Sequence, residues 1–334
     1  MTFHPNPPST RQRGMTLIEL MVGLTLGMIV SVAALKLFAD ASASGKNIQR
    51  ASIQIENGRY AAELLREDLQ LAGFFGEATV DGAAYTTPSP CELVPSGFVP
   101  SPYGLPTPVR GYSAAENVAC LNNRRANTDA LTARRLDVFP VDPATLGSAN
   151  AQYHVQYSFC ETDPVMAPLV IDNKSSAFTL QNRACNAPNR VRAYIARTYF
   201  VADCNQCGTG GDSTPTLKRL DLVGGQLVET ALVEGVETLR LEYGLDTDNN
   251  GSADVYKTAL DAAGPASQWD NVVALKLHFI VRSPERVLGK NLAGAQEFDL
   301  GGAGTVTVAA DGFSRRAYTS TIRLINPSSA RETQ

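Results

Sequence analysis

From Met15 to Leu35 the chain runs 21 residues with a single charged side chain, Glu19. As a helix rising about 1.5 Å per residue, that run spans roughly 30 Å, the thickness of a bilayer's hydrocarbon core. Arg11 and Arg13 precede it, so the short N-terminus is expected to stay in the cytoplasm while the rest crosses. Gly23 and Gly27 form a G-x-x-x-G pair that lets a second helix backbone approach closely, although that spacing is common by chance. The anomaly is Glu19. A carboxylate costs about 2.5–3.5 kcal/mol at the centre of a membrane helix and less near an end, so it needs a partner or a purpose.

The residues after the run are also helical in pattern. No proline occurs until Pro88, and residues 36–75 read as an amphipathic helix with a soft spot at Ser42-Ala43-Ser44-Gly45. Ile48, Ala51, Ile55, Gly58, Ala62, Leu65, Leu69 and Ala72 recur at spacings of three and four, on one stripe. Glu63, Arg66, Glu67 and Gln70 fall outside it, and Gly73 and Gly76 are where the helix should stop. The stripe is long enough for a coiled coil. Directly after an anchor it fits better as the second half of one long helix packed on a sheet.

Beyond Pro88 the signals change to strands and loops. Without the apolar segment and the helix after it, about 260 residues remain, enough for one large domain or two small ones. Residues 81–128, rich in Pro, Gly, Ser and Asn, read as a long irregular region. Candidate strands are 129–138, 153–159, 191–202, 216–222, 226–230, 236–245, 272–282 and 315–325. In 236–245 and 272–282 the apolar residues mostly alternate, which suits antiparallel strands with one covered face. Trp269, the one tryptophan, is expected in the core.

The six cysteines, Cys91, Cys120, Cys160, Cys185, Cys204 and Cys207, all lie after the apolar run. If that run is an anchor, they face an oxidising compartment and disulfides are the default. Connectivity is not readable from sequence; nearest-neighbour pairing is the first of the 15 choices to test. Cys204-Asn-Gln-Cys207 has the spacing of a thiol oxidoreductase or of half a zinc site. A redox motif needs a helix directly after it, and GTGGDSTP stands there instead; a zinc site needs a second ligand pair that His154 and His278 do not supply. A local disulfide closing a turn between strands fits best.

The stretch DTDNNGSAD places Asp246, Asp248, Asn250 and Asp254 as D-x-D-x-N-x-x-x-D around Gly251. Oxygen ligands at alternate positions can converge on a hard cation. The twelfth position is Lys257 rather than Glu, so this is not an EF-hand; it is closer to nine-residue calcium loops, with one structural Ca2+ as the cofactor to test. The plain alternative is a hairpin tip, since Asn-Asn-Gly readily takes positive φ.

Net charge is −4. Without the first 14 residues it becomes −6, because 27 basic residues face 33 acidic ones. That balance gives no general attraction to nucleic acid. The pairs Arg124-Arg125, Arg134-Arg135 and Arg315-Arg316 therefore read as solvated faces or ion pairs rather than a nucleic-acid contact. There is no G-x-S-x-G, Walker loop or H-E-x-x-H, and three histidines form no cluster in sequence, so no enzyme is expected.

Gly14, Met15 and Glu19, as G-M-T-L-I-E-L, resemble the class III signal of type IV pilins and pseudopilins. The resemblance implies cleavage after Gly14 by a prepilin peptidase, N-methylation of Met15, and a glutamate at the fifth mature position that meets the methylated amine of a neighbouring subunit during assembly. Met15 departs from the usual phenylalanine. Two other readings of the same stretch are a plain signal peptide, cut at Ala39-Asp40-Ala41 or Ala41-Ser42-Ala43, and an ordinary single-pass anchor. The order of a long helix, a cysteine-bearing β region, GVETLRLEYG, WDNVVALKLHFIVR and RRAYTSTIRLIN resembles the PilW family of minor pilins. The J-type pseudopilin of type II secretion shares much of that outline, and a membrane-anchored calcium-dependent adhesin is the alternative from another class. The PilW resemblance implies an α+β fold: a long N-terminal helix, membrane-spanning in its first half, packed on a mainly antiparallel sheet. It divides the chain into a leader (1–14), an apolar half-helix (15–35), an amphipathic half-helix (36–75) and a disulfide-bonded β-rich periplasmic domain (76–334). The implied setting is the inner membrane and then the extracellular pilus, with other minor pilins, the major pilin and the inner-membrane assembly machinery as partners. Residues 80–190 add little to the resemblance.

Overall fold

The computed structural model describes residues 14–76, 84–99, 104–148, 152–163, 169–260, 267–287, 295–308 and 310–332. The basic leader up to residue 13, with Arg11 and Arg13, lies outside the described residues. One helix, α1 (Leu17–Gln70), runs 54 residues and continues through Ser42–Gly45, where the sequence suggests a soft spot. It ends short of residue 75. The last turn tightens, with Leu71 N–H bonding to Asp68 O and Ala72 N–H to Leu69 O, a 3₁₀ closure that uses carbonyls the α pattern would leave open. Gly73 comes next at φ 78°, and its N–H crosses to Arg134 O at 2.9 Å.

The chain divides into two compact units, residues 1–49 and 50–334. The first is helical from Leu17 and apolar. Its window of 18 residues that is long and apolar enough to cross a membrane has no buried residue, and Met15, Leu17, Ile18, Leu24, Met28 and Leu35 are each more than 60% exposed.

The second unit carries the sheets. A short parallel pair, β1 (Ala84–Thr86) and β2 (Gly104–Pro106), opens it. Next come β3 (Val109–Tyr112), β4 (Ala130–Leu136), β5 (His154–Tyr157), β6 (Leu169–Asp172), β7 (Val191–Ala202), β8 (Thr216–Val223) and β9 (Gln226–Glu234). These form one antiparallel sheet in which the long β7 pairs with β4, β5 and β8. A second antiparallel sheet has the order β11-β10-β12-β15, from β10 (Val236–Leu245), β11 (Val255–Lys257), β12 (Val272–Arg282) and β15 (Arg315–Arg323). A four-residue helix, α2 (Ser267–Asp270), precedes β12; the hairpin β13 (Gln296–Asp299) and β14 (Thr305–Val308) lies between β12 and β15; and α3 (Ile325–Glu332) closes the chain. The stretch read as a strand to residue 325 therefore stops at Arg323. Pro327 falls in the first turn of α3, where its missing N–H costs no intrahelical bond.

Both sheets and the helix share one core. Ala61, Leu65, Leu69 and Ala72 of the α1 end pack with Leu131, Tyr199 and Leu217 of the first sheet and with Leu239, Leu241, Leu277 and Phe279 of the second. Trp269 is buried there, its ring edge-on to Tyr243 with centroids 5.0 Å apart. The inward stripe agrees with the sequence pattern from Gly58 onward but not before it. Ile48 and Ala51 are exposed and Ile55 is half-buried, whereas Gln54 faces in. Gln54 Nε2 donates to Val281 O at 2.6 Å and Ser314 O at 3.0 Å, so an amide takes a position that apolar periodicity assigns to its neighbours.

The alternation in β10 and β12 also understates their burial. Their polar face is covered as well, with Glu242 and His278 about 5% and 4% exposed and joined at 2.8 Å. The turn after β13 lies on that face, and a Cβ added to Gly302 would sit 2.5 Å from a Glu242 oxygen.

Gly58 marks where the helix meets β15. A Cβ there would lie 2.2 Å from Tyr318 Cζ, and Tyr318 is itself stacked on Phe279 with centroids 5.4 Å apart. Gly→Ala in a helix normally gains about 1 kcal/mol. Here overpacking of about 1–3 kcal/mol opposes it, so Gly58→Ala is expected to lower the melting temperature of the protein rather than raise it.

Candidate functional site

Two features stand out: the start of α1 and the acidic hairpin tip. Thr16 precedes the first helical residue and Glu19 lies three residues on. Glu19 Oε2 accepts from Thr16 N–H at 3.0 Å and from Thr16 Oγ1 at 2.9 Å, and Glu19 N–H points to Thr16 Oγ1 at 3.4 Å. This is a capping box, which satisfies donors that a helix start leaves open. Its signal, T-x-x-E before an apolar run, stands in the sequence at residues 16–19, where a reading for membrane spans passes over it. Glu19 thus has a partner within its own chain. Gly14 and Met15 are exposed, and nothing beyond the adjoining residues and local helix backbone lies within 4 Å of a Cβ placed on Gly23 or Gly27.

The stretch DTDNNGSAD is the tip of the β10–β11 hairpin, closed by Leu245 opposite Val255. Asn249 at φ 60° and Gly251 at φ 80° turn it, as the hairpin reading expects of Asn-Asn-Gly. The same tip brings carboxylate oxygens of Asp246, Asp248 and Asp254 within 4.8 Å of one another, a cluster that could hold a metal ion. Each also serves the loop. Asp246 accepts from Gly251 N–H at 2.9 Å and Asn250 N–H at 3.2 Å. Asp254 takes Thr247 N–H and Oγ1, both at 2.7 Å. Asn250 turns its Oδ1 to Ser252 N–H at 2.7 Å and its amide to Asp248 at 2.9 Å. Burial alone would raise the Asp246 carboxyl, but those N–H bonds and Arg331, 3.6 Å away, hold it below the usual carboxylate range. Arg331 of α3 is the counter-charge that sequence reading missed, because it lies 85 residues from Asp246.

Arg331 also reaches Asp270 O at 3.1 Å. Asp270 Oδ1 is buried without a hydrogen-bond partner, and burial pushes that carboxyl up to about 6 despite Arg331. With the folded value raised, its contribution to stability is fully present below the ordinary carboxylate value of 3.8 and is lost as pH rises through about 6. Asp270→Asn should therefore be the more stable protein at pH 7, by on the order of 1 kcal/mol after solvent screening, with the advantage gone at pH 3.5. Thermal melts at the two pH values read this.

Disulfides join Cys91 to Cys120, Cys160 to Cys185 and Cys204 to Cys207, each in sequence order. Of the arginine pairs, Arg134 and Arg315 are buried and Arg316 is exposed. Arg124 donates to four carbonyls, those of Tyr112, Ser113, Glu116 and Thr128. Arg125 pairs with Asp203 at 2.6 Å, buried Arg134 donates to Pro88 O at 2.6 Å, and Arg315 lies between Glu237 and Asp311, 2.6 Å from each.

Two family patterns match the chain. The prokaryotic N-terminal methylation motif covers residues 9–35, and type IV pilus-assembly protein W covers residues 198–326, from β7 to the start of α3. Among solved structures, a type IV-like pilin from Thermus thermophilus is similar at 13% identity, over 82% of this chain and 97% of that one, with a TM-score of 0.34. No curated protein matches. A methylation-type N-terminus on a long helix, with the later part of that helix packed on antiparallel sheet, is a pilin-like α+β arrangement. With the match from β7 to the start of α3, the chain is similar to type IV pilus-assembly protein W over that part, and the two matches together support a PilW-like minor pilin. The families matched are structural rather than enzymatic, and the motif implies prepilin-peptidase processing and assembly into a pilus.

Proposed function

We propose that the chain is cut between Gly14 and Met15, methylated on the new α-amine, and held in the inner membrane by residues 15–35 with the β domain from residue 76 in the periplasm. It then joins the filament at or near the tip with other minor pilins and the major pilin, priming assembly that supports adhesion and twitching motility. In that filament Glu19 meets the Met15 amine of a neighbour, and Gly23 and Gly27 allow close helix approach. What supports this reading most is the conjunction in one helix of a capped, methylation-type start, a bare apolar half and a half packed in the core. Deleting the gene should remove surface pili and twitching, and the mature protein should begin at N-methylated Met15. A start near Ser42 or Ser44, or a loss of protein secretion with pili intact, would overturn it.

For the acidic tip, the reading is one structural Ca2+ held by Asp246, Asp248, Asn250 and Asp254, with oxygens at alternate positions as the support. Calorimetric titration should give binding heat and a higher melting temperature, both lost in Asp248→Asn. No heat from the unmodified protein would sink it.

A further inference from the structure

The Cys204–Cys207 disulfide has a buried cation against its sulfur. Both cysteines lie in the loop from β7 to β8. Lys218, on β8, places Nζ 3.3 Å from Cys207 Sγ and 2.6 Å from Glu229 Oε1, and its side chain is 3% exposed. An ammonium withdrawn from water needs compensating charge. Glu229 supplies some, but its side chain is 30% exposed and shared with solvent. A disulfide sulfur is only a weak acceptor for the remainder. A thiolate in the same place would carry a full negative charge, so reduction turns a weak contact into an ion pair and favours the reduced form.

The loop has other supports. Asp212 accepts N–H bonds from Asn205, Gln206 and Thr214 at 2.8–2.9 Å, and Asn205 Nδ2 donates to Glu234 at 2.5 Å. These hold the two cysteines side by side independently of the S–S bond. Cys204 is 8% exposed whereas Cys207 is half-buried, so Cys207 presents the sulfur more open to attack. The sequence lacks the helix that lowers thiol pKa in C-x-x-C enzymes; the fold puts a lysine in its place.

We propose that Cys204–Cys207 is a thiol-exchange site for low-molecular-weight thiols, cycling between disulfide and dithiol while the domain stays folded. A thiolate attacks Cys207 Sγ, the S–S bond breaks, and Cys204 leaves with the electron pair and takes a proton from solvent. A second thiolate attacks the sulfur of the bound thiol, which departs as its symmetrical disulfide and leaves Cys207 as a thiolate beside Lys218. Two small thiols are oxidised and one protein disulfide is reduced.

The test uses the full chain in detergent micelles, equilibrated across a series of glutathione to glutathione-disulfide ratios, quenched in acid and alkylated for mass spectrometry of each cysteine peptide. Cys204 and Cys207 should open in buffers that leave Cys91–Cys120 and Cys160–Cys185 closed, with unchanged circular dichroism. Lys218→Met should lower the equilibrium constant for reduction at least tenfold. Glu229→Gln, which leaves the lysine without its carboxylate, should raise it, and this variant decides the case if Lys218→Met does not fold. Opening no earlier than the other two bridges, or a midpoint that Glu229→Gln leaves unmoved, overturns the proposal.

Discussion

Glu19→Ala is expected to leave cleavage after Gly14 largely intact and to deplete the subunit from sheared pili by roughly ten- to a hundredfold. That range corresponds to the loss of about 1.5–3 kcal/mol, the strength of a hydrogen bond to a charged group. Two effects are mixed in this substitution. The carboxylate caps its own helix through Thr16, a contact worth about 0.5–2 kcal/mol, and it favours the positive end of the helix dipole. In the proposed filament it also meets the amine of a neighbour. Thr16→Val separates the two, since it removes the hydroxyl of the cap while keeping the charge. Immunoblots of membrane and sheared fractions should show Thr16→Val incorporated close to normally and Glu19→Ala processed but left in the membrane. Equal loss in both would mean that the cap, and not an intersubunit contact, is why the acid is there.

What could be read in the sequence depended on the length of each signal. The strands at 191–202, 236–245 and 272–282 have the bounds expected, because ten or more residues of β-branched and apolar side chains leave little choice of state. Strands of three or four residues, such as Ala84–Thr86 and Gln296–Asp299, repeat the two-residue period too few times to be read and exist because a partner strand lies beside them. The long helix was legible from its lack of proline. Its inward face was only partly so, since Gln54 and Asp68 are buried on it and a hydrophobic stripe is blind to polar residues that find partners. The acidic tip was legible as a loop with converging oxygens. Arg331 and the Glu242–His278 pair were not, because their partners lie 85 and 36 residues away. Lys218 was not, because its two partners, though only 11 residues away on either side, are set beside it by the loop and hairpin geometry.

Asp68→Ala should cost the globular unit about 2–4 kcal/mol, a large part of the roughly 5–15 kcal/mol that holds a domain together. Asp68 is 8% exposed, in the last turn of α1. Its carboxylate takes Arg197 Nη1 at 2.6 Å, the Tyr199 hydroxyl at 2.7 Å and Arg135 Nη2 at 3.3 Å. One helix side chain thus binds β4 and β7 at once. Tyr199 is fully buried, and burial together with the Asp68 charge pushes its hydroxyl far above the ordinary value, so it acts only as a donor to that carboxylate. Removing one partner of a buried ion pair costs about 3–5 kcal/mol. The expected cost here is lower because Arg197 is a quarter exposed and keeps Asp221 at 3.2 Å, and Arg135 keeps the Leu136 carbonyl. The Tyr199 hydroxyl, by contrast, would be left buried with no acceptor. Tyr199→Phe in the Asp68→Ala background should therefore recover part of the loss, while Tyr199→Phe alone destabilises, giving a coupling of about 1 kcal/mol or more. Urea denaturation followed by the fluorescence of Trp269, itself 4% exposed, measures all four corners of that cycle. Additive corners would mean that the hydroxyl and the carboxylate do not act on each other, and that Asp68 holds α1 on the sheet through Arg197 and Arg135 instead.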